Sequence, residues 1–245
     1  MHLLNSDGGS LQLLHMSDAI DRIMVLASEA LARLDYLTCE RRCLEALSVA
    51  RSKGDWRYYA RILMPLQESR RQRRMIAADG VIRLGTGDLD RDWCSWPDDE
   101  KAGCLVVTHP HTADTVREIE SHARQQCQFV EVLFADSELS ADKWTLRSVV
   151  GPEVALSVSG PPVDWRGSWL QPGQTPPTKS VKTLAGPVDW FLDASEALGN
   201  AALATVTASS GNRNRVEALE LCLQVVTDHE ILHQRLGDAA RAMYG

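Results

Sequence analysis

Several features are missing from this sequence, and each absence narrows the reading. No apolar run approaches the ~18 residues that a membrane-spanning helix needs. The first seventeen residues have neither a basic start nor a continuous apolar core, so no secretory signal is expected. The six cysteines (Cys39, Cys43, Cys94, Cys104, Cys127, Cys222) form no C-x-x-C pair. Reduced thiols in a cytoplasmic protein are therefore the expectation. There is no Gly-rich phosphate loop, no G-x-S-x-G elbow, no kinase signature and no dinucleotide fingerprint. These absences point away from the common enzyme classes.

What remains is the composition of a folded chain. At 245 residues, 44% hydrophobic and 24% charged, the sequence can bury a real core. Its charge is uneven. Residues 31–74 hold eleven Lys and Arg against five Asp and Glu, a net of +6, while the whole chain is at −7. The basic excess peaks at Arg70, Arg71, Arg73 and Arg74, with Arg57 and Arg61 in the helix before them. Such a patch suits an acidic peptide or another anionic partner. No aromatic residue interleaves the run, so nucleic acid is not the expected partner. The acidic remainder of the same chain is a second candidate to meet it.

Periodicity predicts helices at both ends. Ile23, Leu26, Ala27 and Ala30 stand at i, i+3, i+4 and i+7, which places them on one helix face. A turn follows at Leu34–Asp35–Tyr36. Cys39, Cys43, Ala46 and Leu47 repeat the spacing, with small residues where two helices would cross. Gly54 and Asp55 are a break and a cap, after which Trp56, Tyr59, Ala60 and Leu63 open a third helix. Residues 23–63 thereby resemble the W-x2-L-G-x2-Y and A-x3-F helices of the tetratricopeptide repeat family. The sequence departs from that pattern at Leu34 (a turn glycine in the family), Ala30 (an aromatic) and Arg51 (a proline). Ala218, Cys222 and Val225, then His233, Leu236, Gly237 and Ala240, echo the same spacings near the other end. The resemblance implies a protein-interaction surface, with Trp56, Arg57, Tyr59 and Arg61 as candidate contacts. The competing reading of Trp56 and Tyr59 is packing inside the hairpin.

The middle of the chain reads differently. Cys104–Val107 is a short apolar run expected to be a buried strand, Thr112–Gln125 a helix, and Phe129–Phe134 a second strand. Residues 146–150 and 154–158 are two further strand candidates. This order predicts an α/β fold in which helical, repeat-like ends flank a small, mainly parallel central sheet. The expected organisation is a disordered N-terminus at 1–10, a helical region at 11–79, a linker at 80–103, and the α/β region at 104–160. A proline-rich connection at 161–185 and a helical region at 186–245 complete it.

Two histidine motifs suggest chemistry. His229-Glu230-Ile231-Leu232-His233 is a literal H-E-x-x-H, which on a helix can hold zinc with Glu230 as base. No His, Cys or Glu follows His233 to supply a third ligand, and Thr227 with Glu230 also fits a capping box. No metal or cofactor is the favoured expectation, with a zinc-dependent hydrolase as the alternative. The second motif is Thr108, His109, His111 and Thr112, a strand-to-helix loop where a small anion could sit on the helix start. A non-catalytic adaptor that binds another protein is the leading functional expectation. Each helical end has too few repeats to bury a core alone, so compaction against the middle or homo-oligomerisation is also expected.

Overall fold

A computed structural model of the chain describes residues 8–86, 101–175, 186–206 and 211–245. Side chains are described from residue 19 onward. The fold is α/β, as the hydrophobic patterning predicts. Three helices, α1 (Gly8–Ala32), α2 (Tyr36–Lys53) and α3 (Trp56–Asp79), lead into a six-stranded sheet. Three more, α5 (Pro187–Ala204), α6 (Asn212–Cys222) and α7 (Glu230–Arg241), follow it. Among the described residues no helix is long and apolar enough to cross a membrane.

Local chemistry explains the helical boundaries. Asp35 caps α2 by accepting from the Thr38 N–H at 3.1 Å, and Asp55 caps α3 by accepting from the Tyr58 N–H at 3.1 Å. Gly54 ends α2 in the left-handed conformation at φ +69°, donating its N–H to Ala50 and Arg51. Leu34 makes the preceding turn at φ +62°, a conformation that glycine adopts more readily. Ala27, Cys39, Cys43 and Ala46 are fully buried between the helices, because small side chains let the backbones approach. The buried stripe of α1 is Ile20, Ala27 and Ala30, flanked by the half-buried Ile23. Leu26, expected on that face, is turned out to solvent.

Helix α3 runs far beyond Leu63, where the repeat-like pattern fades. Pro65 lies inside it, and the helix continues to Asp79. Ile62, Leu63 and Leu66 are buried on both sides of the proline, so tertiary packing offsets the lost hydrogen bond.

The sheet has strands β1 (Val81–Leu84), β2 (Ala102–Thr108), β3 (Phe129–Ala135), β4 (Lys143–Arg147), β5 (Ala155–Ser159) and β6 (Trp169–Leu170). Their order is β5-β4-β3-β2-β1-β6. The centre, β1-β2-β3, is parallel, and β4, β5 and β6 join antiparallel at the margins. Helix α4 (Ala113–Gln125) forms the crossover between β2 and β3. Side chains alternate across β2. Leu105 and Val107 pack with Val116, Ile119 and Ala123 of α4, while Cys104 and Val106 join the larger core beneath the helical ends. Both faces of β2 are covered, which is why it reads as an unbroken apolar run.

Four segments differ from the expectation or lie partly outside the described residues. The stretch expected to be a linker from residue 80 opens with β1, and its residues 87–100 lie outside the described set. The proline-rich connection contains a 3-10 turn, Val163–Trp165, and β6, and its residues 176–185 also lie outside. The expected disordered N-terminus lies mostly outside the described residues, with α1 beginning at Gly8. Strand β4 starts three residues before the expected 146–150 segment. Trp144 supplies the reason: it is fully buried and meets Trp190 of α5 edge-on, ring centroids 5.6 Å apart.

Candidate functional site

The two helical ends meet along one side of the sheet, and a groove of about 550 Å³ lies between them. Its walls come from α2 and α3 on one side and from α6, α7 and their connection on the other. Leucines form much of the lining: Leu47, Leu63, Leu66 and Leu236 are buried, while Leu44 and Leu221 stand at the mouth, 44% and 49% exposed. This volume lies within the usual range for ligand-sized concavities. Polar groups cluster at one end. Tyr59 donates its hydroxyl to Glu220 Oε1 at 2.5 Å, and Arg51 pairs with both Glu220 and Glu217. Burial is the main reason that the Tyr59 hydroxyl and the Glu220 carboxyl are both pushed up from their ordinary ranges.

The candidate contacts on α3 separate into two groups. Tyr59 is buried and lines the groove. Trp56 is half-buried, with its ring 5.5 Å from that of Tyr59. Arg57 and Arg61 are exposed, and Arg61 stacks over the Tyr58 ring at 5.3 Å.

Most of the arginine run points inward. Arg70 donates from Nε to Glu40 Oε1 at 2.8 Å and from Nη1 to the Thr227 carbonyl at 3.0 Å. Arg73 pairs with Glu40 Oε2 and lies 3.8 Å from Glu131 of β3. Arg74 donates from Nη1 to both carboxylate oxygens of Asp228 at 2.9 Å, and from Nη2 to the Leu192 carbonyl. Arg71 alone of the four is exposed, with Glu68 at 3.3 Å. The run thus ties α2, β3, α5 and the start of α7 to α3. Glu131 carried a readable signal, since a carboxylate inside the apolar strand Phe129–Phe134 requires a buried partner. Glu40, Glu196 and Asp228 carried no such signal.

Glu131 is the poorly satisfied member of this cluster. Among the described residues its only ion-pair contact is Arg73 at 3.8 Å, and Glu120 of α4 shares its small polar pocket. Burial pushes Glu131 up to about 7, and Arg73 offsets only part of that. A carboxyl raised in the folded state favours folding most below its unfolded value of 4.5, and that contribution is lost as pH rises to about 7. His233 acts in the opposite sense. Burial lowers it from 6.5 to about 4, so its contribution is lost as pH falls through that window. The Glu131→Gln variant separates the two. Urea unfolding should show wild type losing stability relative to the variant between pH 4.5 and about 7. A difference that stays flat with pH would mean that Glu131 titrates like an exposed carboxyl.

The H-E-x-x-H residues are placed by packing. His229 precedes α7 and caps it: its Nδ1 accepts the Leu232 N–H at 3.2 Å, in place of the expected Thr227–Glu230 box. A ring nitrogen serves here as the acceptor that a Ser or Asp oxygen usually supplies. His229 Nε2 lies 3.2 Å from Glu196 Oε1. His233 is buried and bonds the Thr227 carbonyl through Nε2 at 3.0 Å. Glu230 is exposed and accepts from Gln234 at 2.9 Å. Among the described residues no three His, Cys, Asp or Glu side chains converge as metal ligands.

The Thr108–Thr112 loop stands at the carboxyl end of β2. Thr108 is buried and locked to Thr86: each backbone N–H donates to the other hydroxyl at 2.9 Å. His109 is exposed and joined to Pro110 by a cis peptide bond. His111 is half-buried, and the exposed Thr112 caps α4. The parallel strands β1-β2-β3 lie in chain order, so this loop does not sit at a reversal of strand order, where α/β sheets open a ligand crevice. No protein-family model, no curated protein and no solved structure matches this chain.

Proposed function

We propose that this chain is a non-catalytic interaction protein whose groove between α2/α3 and α6/α7 receives an amphipathic helix of another protein. The observation that carries the reading is the leucine-lined concavity of about 550 Å³ with Leu44 and Leu221 at its mouth. A helix presenting apolar side chains at i, i+3 or i+4, and i+7 suits a lining of this kind. The exposed Arg51 and Glu217 at the rim would favour a partner with both charge signs on its flanks. The tetratricopeptide-like pattern of residues 23–63 supports the same reading. An acidic peptide would find Arg57, Arg61 and Arg71 on the surface, because Arg70, Arg73 and Arg74 are engaged internally.

A displayed library of helical peptides tests this. Enriched peptides should carry the apolar spacing and bind the purified protein. Leu44→Glu and Leu221→Glu should each weaken that binding by about tenfold or more, since each places a charge where apolar surface would be buried. Both positions are exposed in the free protein, so the melting temperature should hold. Peptides that bind both variants as well as wild type, or no enrichment at all, would remove the groove as the contact surface.

A further inference from the structure

Strand β5 is the outer edge of the sheet next to β4. The ladder shows which of its backbone groups point outward. Gly160 N–H donates to the Asp142 carbonyl at 2.8 Å, and Ser148 N–H donates to the Val154 carbonyl at 3.0 Å. In an antiparallel pair, hydrogen-bonded and non-bonded positions alternate. Residues 154, 156, 158 and 160 therefore bond to β4, and Ala155, Ser157 and Ser159 turn their N–H and C=O groups away from the sheet. Among the described residues, only the Ser159 carbonyl of these groups has a partner, Trp190 Nε1 at 3.2 Å, and a carbonyl can accept twice.

Open strand edges are usually protected by charge, proline, a bulge or a covering segment. The sequence Ala155-Leu156-Ser157-Val158-Ser159 has no charge and no proline, and its pairing with β4 is unbroken. Ala155, Ser157 and Ser159 are exposed, and Leu156 and Val158 are only half-buried.

We propose that this edge pairs antiparallel with β5 of a second copy of the chain, across a two-fold axis at Ser157. In that register Ser157 opposes its own symmetry mate, and Ala155 opposes Ser159. These are the residues with outward backbone groups, so the bonds form reciprocally. The two faces also match. On one face Thr145 and Ser157 would continue into Ser157 and Thr145 of the other copy, a ladder of hydroxyls. On the other face Leu146 and Leu156 would continue into Val158 and Trp144, apolar against apolar. No two like charges face each other on the paired strands. A closed two-fold contact of this kind uses the same surface on both copies and leaves no β5 edge to propagate. It uses no residue of the groove.

Analytical ultracentrifugation of the full chain tests the pairing. Wild type should sediment as a dimer. Ser157→Pro removes an outward N–H and no bond to β4, so it should yield a monomer with little change in melting temperature. Ser157→Lys puts two ammonium groups opposite each other and should also yield a monomer, which decides the matter if the proline variant fails to fold. Hydrogen exchange should find the Ala155 and Ser157 amides protected in wild type and exposed in the lysine variant. A monomeric wild type, or a dimer that persists in Ser157→Lys, would overturn the proposal.

Discussion

Replacing Arg73 by alanine should lower the stability of the fold by about 3–5 kcal/mol, the usual consequence of leaving a buried charge without its partner. The Arg73 side chain is 8% exposed and lies between Glu40 on α2 and Glu131 on β3. Burial alone would push Glu40 up, but Arg73 and Arg70 outweigh it and hold the carboxyl below its ordinary range. A carboxylate with a lowered folded pKa favours folding above its unfolded value of 4.5, and that contribution is lost as pH falls below it. In Arg73→Ala, Glu40 retains Arg70, whereas Glu131 loses its one ion-pair contact among the described residues. Wild type should therefore exceed the variant least in acid, where both carboxyls are protonated, and increasingly as pH rises past about 7, where Glu131 ionises beside Arg73. Arg73→Met combined with Glu40→Gln and Glu131→Gln should recover much of the loss, because an apolar or neutral replacement of the whole cluster strands no charge. Urea unfolding with an unchanged m-value measures each step. A loss under about 1 kcal/mol, typical of an exposed pair, would mean that the cluster is solvated.

The second large effect belongs to a glycine. Gly199 lies in the middle of α5, where alanine would ordinarily favour the helix by up to about 1 kcal/mol. A Cβ there would stand 2.1 Å from His229 Cδ2 and 2.7 Å from Cγ. The His229 ring is fully buried, so it can leave only by disturbing its surroundings. Moving the ring also breaks the Nδ1 acceptor that caps α7, a loss of about 1 kcal/mol on top of overpacking of about 1–3 kcal/mol. After the propensity gain, Gly199→Ala should destabilise by about 1–3 kcal/mol. The pair with His229→Ala is the sharper test. Removing the ring frees the space, so the double variant should be less destabilised than the two single losses added. Strict additivity would mean that the two residues are not in contact. A Gly199→Ala change within about 0.5 kcal/mol of wild type would mean the same.

These two sites differ in how much of them can be read from the sequence. The arginine run and its positive excess are plain at residues 70–74, and so is the acidity of the remainder. What they pair with is not. Glu40 lies 30 residues before Arg70, and Asp228 lies 154 residues after Arg74. The Gly199–His229 contact leaves no local trace at all, because a helical glycine and a loop histidine look ordinary in isolation. The groove has the same character: Leu44, Leu63, Leu221 and Leu236 each belong to an ordinary amphipathic pattern, and only the meeting of four helices gives them a common space.

The elements themselves were legible where backbone geometry imposes a period. Helix spacing marks Cys39, Cys43, Ala46 and Leu47, and an unbroken apolar run marks β2, since each repeat is set by neighbours a few residues away. That was enough to determine an α/β chain with helices at both ends of a sheet. Strands β1 and β6, four and two residues long, are too short to show a period, and they exist because β2 and β1 offer edges to pair with. Helix α3 outlasts Pro65 for a similar reason, since contacts from other elements replace what the local sequence withdraws. Sequence by itself determined the helices at both ends and the central strands β2 and β3, whose periods are local. Tertiary structure alone decided which charges are buried, which histidine caps a helix and where a groove opens, because those depend on contacts between residues far apart in the chain.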